Sequence, residues 1–276
     1  NGEIRVFQKE RKLSQMAISV LSDKEFTSNK GTKDLQALLG KGIFDFPKPV
    51  ALVKLLATIG SNEDSIVLDF FSGSATTAHA VMQLNAEDGG SRRFIMVQIP
   101  EPTTEGSEAL KAGHMNIADI GKERIRRAGR QMRNESIGID IGFRLLKIDT
   151  SNMVDLFYAP DALEKPNLDL FVDNIKPDRT PEDLLFQVML DWGVDLALPI
   201  DKQAIQGKDV FLVDGNALAA CFDAHGGVDE AFVKEMAKVQ PLRVVFRDAG
   251  FKNSSVKINV EQIFKLLSPA TEVKCI

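Results

Sequence analysis

Apolar positions fall into two recurring patterns, compact runs and helical periods, and the order in which they alternate predicts the architecture. Ser65-Ile66-Val67-Leu68-Asp69-Phe70-Phe71 is a run of strand formers between the polar Asn62-Glu63-Asp64 and Ser72-Gly73-Ser74, the signature of a buried parallel strand. Thr76 to Leu84 then reads as a helix, with Thr76 or Thr77 as its N-cap. The turn Glu87-Asp88-Gly89-Gly90 leads to a second strand, Arg93 to Ile99, closed by Pro100. Strand, helix and strand on short links imply a parallel pair with a right-handed crossover. Upstream, Pro49 to Ile59 has the helical period, with Val50, Val53, Leu55 and Leu56 apolar. Downstream come a loop with Pro102 and Gly106, a helix from Ile117 to Met132, and a third strand, Phe143 to Ile148. The alternation predicts an α/β sheet with helices on its faces.

Residues 1–42 are polar and mixed in charge and end in Leu38-Leu39-Gly40-Lys41-Gly42, so they read as a connector. Past Asp149 the texture changes. Asn152 to Thr180 carries Pro160, Pro166 and Pro177, which marks a boundary between about 150 and 180. A helix from Pro181 to Trp192 follows, then strands Val210–Val213, Leu218–Phe222 and Leu242–Phe246 and helices Asp229–Lys238 and Val256–Leu267, an α+β unit. The expected division is thus a connector over 1–42, an α/β part over 43–150 and an α+β unit over 151–276.

Composition narrows the class without naming a partner. The 276 residues are 44% hydrophobic and 26% charged, which excludes a disordered or collagen-like chain. The longest apolar runs fall far short of the roughly 20 residues of a transmembrane helix. Cys221 and Cys275 lie far apart, and His79, His114 and His225 form no pair at ligand spacing, so neither a disulfide framework nor a metal site is expected. The default setting is reducing and cytoplasmic. A net charge of -5 still leaves room for a local basic patch. The chain opens on Asn1, with no signal-peptide pattern, and is expected to be a piece of a longer protein.

The sharpest chemical signal is Asp69-Phe70-Phe71-Ser72-Gly73-Ser74-Ala75-Thr76-Thr77, where a strand hands over to a helix. Unpaired N–H groups at the helix start, small residues and an acid at the strand end build a ligand site there. A structural strand-to-helix turn is the plain alternative. Two further elements favour the site: Phe44-Asp45-Phe46-Pro47-Lys48-Pro49 upstream, and Glu101 past the second strand, where an acid can accept from ribose hydroxyls. A nicotinamide site would need Gly-x-Gly-x-x-Gly after the strand, and two of those glycines are missing.

Taken with Arg93 to Glu101 and Ile117-Ala118-Asp119-Ile120-Gly121-Lys122-Glu123-Arg124-Ile125-Arg126-Arg127, these segments resemble the modification subunit of type III restriction-modification systems, a β-class adenine-N6 DNA methyltransferase. Asp191 to Leu196, Cys221-Phe222-Asp223 and Val245 to Phe251 resemble that family's C-terminal region. The resemblance implies a Rossmann-like half-sheet that binds S-adenosyl-L-methionine. Its cofactor residues would be Phe44, Asp45, Phe46, Lys48, Asp69, Phe71, Ser72, Gly73, Ser74, Thr76 and Glu101. Lys48 would sit near the methionine carboxylate and Asp69 near the ammonium; Phe71 and Gly73 would floor the site, and Glu101 would take the ribose. It further implies double-stranded DNA as substrate, base flipping, a homodimer in the full-length protein and a restriction subunit as partner.

Two departures matter. The family has Gly where this chain has Ala75, and a methyl there is accommodated if the local φ is negative. The catalytic Asp-Pro-Pro-Tyr is absent, so no catalytic residue is assigned, and in the family that motif lies N-terminal to the Phe44–Pro49 element. The chain alone is therefore expected to be inactive. A non-catalytic module for oligomerisation or contact with a restriction partner is the alternative.

Other candidates read more plainly. Lys122, Arg124, Arg126, Arg127, Arg130 and Arg133, with Glu123 and Glu135, are expected to form a solvated helix face before a phosphate-binding one. His79 is expected to be packed, Phe186 and Trp192 to line a core, and Cys221 to act as a small buried hydrophobe.

Overall fold

The computed structural model describes residues 20–135, 138, 140–154 and 173–276. These fall into two compact units, divided between Phe143 and Arg144. Residues 1–19 of the 1–42 connector, Pro160 and Pro166, and the side chain of Glu135 lie outside the described residues.

The first unit is built on two parallel strands, β1 (Ile66–Phe70) and β2 (Arg93–Val97), in register from Ile66 opposite Arg93 to Phe70 opposite Val97. The crossover between them is α3 (Thr76–Asp88). Val67, Phe94 and Met96 face the helices. Ile66, Leu68, Phe70, Ile95 and Val97 are exposed on the opposite face. The core joins Ala75, Ala78 and Met82 to Ile125, Ala128 and Met132 of α5 (Ile117–Glu135), with Phe94, Met96 and Phe143 packed against them. A short α4 (Glu108–Lys111) precedes α5, capped by the Ser107 hydroxyl accepting from Leu110 N–H.

The stretch read as a connector contains a helix. In α1 (Ser28–Leu39), Leu35 and Leu39 are buried in a cluster with Ile43, Ala109 and Ile120. Gly31 packs so closely on the Pro47–Pro49 backbone that a Cβ would lie 2.1 Å from the Pro47 carbonyl oxygen. The Asp34 carboxylate accepts from Val50 N–H at 3.2 Å, the start of α2 (Val50–Gly60). Tertiary contact holds this polar helix, as is usual for helices of weak intrinsic propensity.

The third strand expected over Phe143–Ile148 does not form. Phe143 packs into the core under Arg126, whereas Leu145, Leu146 and Ile148 are exposed. An apolar run becomes a strand only where a neighbour can take its hydrogen bonds.

The second unit is a five-stranded mixed sheet in chain order, β3 (Ile200–Ile205), β4 (Lys208–Val213), β5 (Leu218–Cys221), β6 (Arg243–Phe246) and β7 (Glu272–Cys275). The first three are antiparallel and the last three parallel. The helices α7 (Glu230–Lys238) and α8 (Ser254–Leu267) make the parallel crossovers and share one core face with Val210, Leu212, Cys221, Val244 and Phe246. On the other face lies α6 (Pro181–Asp191), started by a Thr180–Asp183 capping box and packed on Phe211, Val213, Leu218 and Val245. Phe186 and Trp192 lie against this second core face. Cys221 is fully buried, which pushes its thiol up to about 11. Among the described residues no helix is long and apolar enough to cross a membrane.

Candidate functional site

The site grows from the end of β1. Asp69 lies on the helix-facing side of the strand, and the Thr77 hydroxyl donates to its carboxylate at 2.5 Å. Past Phe70 the chain turns sharply: Phe71, Gly73 and Ala75 have φ of 63°, 53° and 57°. Ser72 N–H donates to the Val97 carbonyl at 3.0 Å and Gly73 N–H to Gln98 Oε1 at 2.7 Å, which anchors the turn to the end of β2. Ala75 N–H closes on the Ser72 carbonyl at 2.8 Å.

The Phe44–Pro49 element lies against this turn. A Cβ on Gly73 would stand 3.3 Å from the Phe44 ring, which would have to give by a few tenths of an ångström, and the positive φ favours glycine there. The Thr76 hydroxyl donates to the Lys48 carbonyl at 3.3 Å. Asp45, Phe46 and the Lys48 side chain are exposed beside it, Phe46 with φ 53°. Three of the six non-glycine residues with positive φ among the described residues therefore belong to this one cluster of loops, joined by Gly73. Such strain persists where surrounding contacts over-determine the backbone.

The structure brings Phe44, Lys48, Asp69, Gly73, Ser74, Thr76 and Thr77 together, and leaves Phe71 and Phe46 largely exposed at 74% and 83%. Glu101 is exposed. Its backbone is fixed by its N–H donating to the Ile99 carbonyl and by Ile117 N–H donating to its own carbonyl, and among the described residues no hydrogen bond or ion pair links it to the others. Two readings of the turn need correction. The N-cap of α3 is Ala75, with no side-chain cap, and not Thr76 or Thr77. At Ala75 φ is positive, so the condition under which a methyl fits freely is not met.

Beneath the turn lies a residue that the sequence reading assigned to the solvated face of α5. Arg124 is fully buried. Its Nη1 donates to the Ser74 hydroxyl at 2.9 Å, the Ser74 carbonyl at 3.4 Å and the Thr76 hydroxyl at 2.7 Å. Its Nε and Nη2 have no acceptor among the described residues, nor has the enclosed Nδ1 of His79 a partner. Burial brings the guanidinium down to about 10, with the Asp34 charge opposing, so it stays cationic at neutral pH. Burial, with Arg124 adding repulsion, lowers His79 to about 3 and keeps it neutral. The signal was in the sequence: Ile120, Gly121, Ile125, Ala128 and Met132 form a buried stripe at helical spacing, and Arg124 sits inside it. Its neighbours behave as read. Arg127 pairs with Glu123 at 2.8 Å and Lys122 with Asp119 at 2.5 Å on the open side of the helix.

Comparison with known proteins identifies the family. The profile of the DNA methylase family (N6_N4_Mtase) matches residues 4–148. The chain is 42% identical over 130 residues to the Mod subunit of the type III restriction-modification enzyme StyLTI of Salmonella typhimurium, covering 46% of this chain and 20% of that protein. It is 30% identical over 236 residues to the EcoPI Mod subunit of Escherichia phage P1, covering 83% of this chain and 36% of that one. With the EcoP15I Mod subunit of Escherichia coli it shares 31% identity over 262 residues, 91% of this chain and 38% of that one. These matches take up only 20% to 38% of the length of each relative. The profile covers more than half of the chain and all of the loops gathered around Gly73, so the chain belongs to the DNA methylase family.

Proposed function

We propose that this chain is the cofactor-binding and C-terminal part of an adenine-N6 DNA methyltransferase of a type III restriction-modification system, with S-adenosyl-L-methionine held at the Gly73 turn. The observation that carries the reading is the meeting of three separated segments there: Phe44 over Gly73, Thr76 on the Lys48 carbonyl, and Asp69 fixed by Thr77. The cradle suits the group. Asp69 offers an oriented carboxylate to an ammonium, the Lys48 ammonium suits a carboxylate, and the α3 start adds its dipole. Gly73 lets the Phe44 ring close on the turn, with Phe46 and Phe71 as exposed apolar surface beside it. Glu101, exposed beyond β2, is assigned to the ribose hydroxyls. When bound, S-adenosyl-L-methionine supplies the electrophilic methyl. The chain's own residues supply binding and orientation, a contribution of proximity and not of acid–base chemistry.

The 276 residues contain no Asp-Pro-Pro-Tyr, and we assign the catalytic motif to sequence outside them. The edges of the β1–β2 pair, unpaired among the described residues, suit the remaining strands of a Rossmann-like sheet, and its exposed apolar face suits further helices. Duplex DNA as substrate, a restriction subunit as partner and a homodimer of the full-length protein belong to this reading. Residues 151–276 are assigned to macromolecular contacts and not to cofactor.

Titration calorimetry with S-adenosyl-L-methionine on the chain and on Asp69→Ala tests the site. Affinity is expected to fall by about tenfold or more, the loss of one charge-assisted contact. Equal affinity in both proteins, beside a measurable signal, refutes the assignment. Tritiated methyl transfer to duplex DNA by these 276 residues alone would refute the placement of the catalytic motif.

A further inference from the structure

Arg124 has a charge that a stable core does not need. Buried guanidinium groups are normally met by a bonded carboxylate, because burying a charge that no counter-charge touches costs free energy. Among the described residues Arg124 donates to two hydroxyls and a carbonyl, two of its nitrogens have no hydrogen-bond partner, and Asp34 acts on its charge without bonding to it. All of its bonds go to one place, the Ser74–Thr76 turn, through a single nitrogen. From there a relay continues outward. Thr76 accepts from Arg124 and donates to the Lys48 carbonyl, and the adjacent Thr77 holds Asp69. Among the described residues no chain of hydrogen bonds runs from Arg124 to Glu101.

We infer that Arg124 is a positioning residue for the amino-acid end of the cofactor, which keeps the Ser74–Thr76 turn, the Lys48 backbone and the start of α3 in binding geometry and places a positive charge behind them. The inference rests on the assignment of S-adenosyl-L-methionine to the Gly73 turn and deepens it by separating two ends of the ligand. One end is served by the relay through Thr76; the other, the nucleoside end, is served by Glu101 and is independent of Arg124.

The test compares two ligands and two variants of the chain by calorimetry, with thermal unfolding alongside. S-adenosylhomocysteine carries the amino-acid end, and 5′-methylthioadenosine lacks it. In Arg124→Met the affinity for S-adenosylhomocysteine is expected to drop about tenfold or more, about 1.4 kcal/mol. The affinity for 5′-methylthioadenosine is expected to change less than about twofold, whatever the midpoint of unfolding does, since the readout is the ratio of the two affinities. Arg124→Lys retains the charge but places its nitrogen differently from Nη1, so it should show the same selectivity in weaker form. A parallel loss for both ligands, in either variant, overturns the inference and leaves Arg124 a structural residue. So does unchanged S-adenosylhomocysteine affinity in Arg124→Met. If Arg124→Met does not fold, the ratio of the two affinities in Arg124→Lys decides by the same criterion. Failure of the unaltered chain to bind either ligand overturns the cofactor assignment itself, a result distinct from the others.

Discussion

Ala75 offers a measurement in which most of the uncertain quantities cancel. It sits at φ 57°, ψ 44°, 1% exposed, in one core cluster with Ala78, which is fully buried inside α3. Replacing either alanine by glycine removes one buried methyl, about 0.8 kcal/mol of burial in each case. The backbone terms have opposite signs. At Ala78 glycine is the worse helix residue by about 1 kcal/mol, so Ala78→Gly should cost about 2 kcal/mol. At Ala75 an L-residue in the left-handed region carries about 1–2 kcal/mol of strain that glycine relieves. The larger freedom of glycine in the unfolded chain returns about 0.4–1 kcal/mol of that gain. Ala75→Gly should therefore be close to neutral, within about 1 kcal/mol, and the two variants should differ by about 2 kcal/mol. Urea denaturation followed by far-ultraviolet circular dichroism, with equal slopes checked for the two proteins, measures the difference directly. If Ala75→Gly is as damaging as Ala78→Gly, the turn does not hold the left-handed conformation and the account of this loop is wrong.

Two other changes probe the same unit. Gly31→Ala would set a methyl 2.1 Å from the Pro47 carbonyl oxygen and 2.8 Å from the Lys48 and Pro49 backbone. It should lower stability by about 2–3 kcal/mol and weaken cofactor binding with it, and an unchanged melting temperature would show that α1 does not pack on this element. His79, lowered to about 3, stays neutral in the folded protein while the unfolded chain takes up a proton below about 6.5. The unfolded state therefore binds more protons between those values, and stability should fall as pH is lowered from 6.5 toward 3, by at most about 1.4 kcal/mol per pH unit from this group. His79→Gln should flatten that part of the profile, and a nuclear magnetic resonance titration placing His79 above pH 6 would contradict the prediction.

The strand, helix and strand from Ile66 to Val97 were legible because a dense apolar run closely bounded by turn residues marks a parallel strand, but the burial expected on both faces is found on one only, since Ile66, Leu68, Phe70, Ile95 and Val97 are exposed. Helix α1 was not legible, since Ser28-Asn29-Lys30-Gly31-Thr32-Lys33-Asp34 has weak helical propensity and its stabilising partners, Ile43, Ala109 and Ile120, are distant in sequence. Strand β3 was missed for a related reason: Asp201, Lys202, Gln203 and Ala204 are all exposed, and the strand exists because β4 pairs with it. Phe143–Ile148 errs the other way, apolar without a pairing neighbour. Within the candidate site, the segments could be named from the sequence but not their contacts. That Phe44 roofs Gly73, and that one arginine of a basic helix turns inward, follow from packing between elements.

Trp192 is the one tryptophan of the chain, and it lies in the second unit between Arg243 and Lys274, whose charged groups stand 5.7 and 5.3 Å from its ring. The intrinsic emission of the protein is therefore a local reporter. It reads the opening of the sheet next to α6, with two cations to tune its wavelength, while the Gly73 turn and its helices contain no indole. A melt followed by emission and one followed by backbone dichroism observe different parts of the molecule, and a gap between their midpoints would measure how independently the two units unfold.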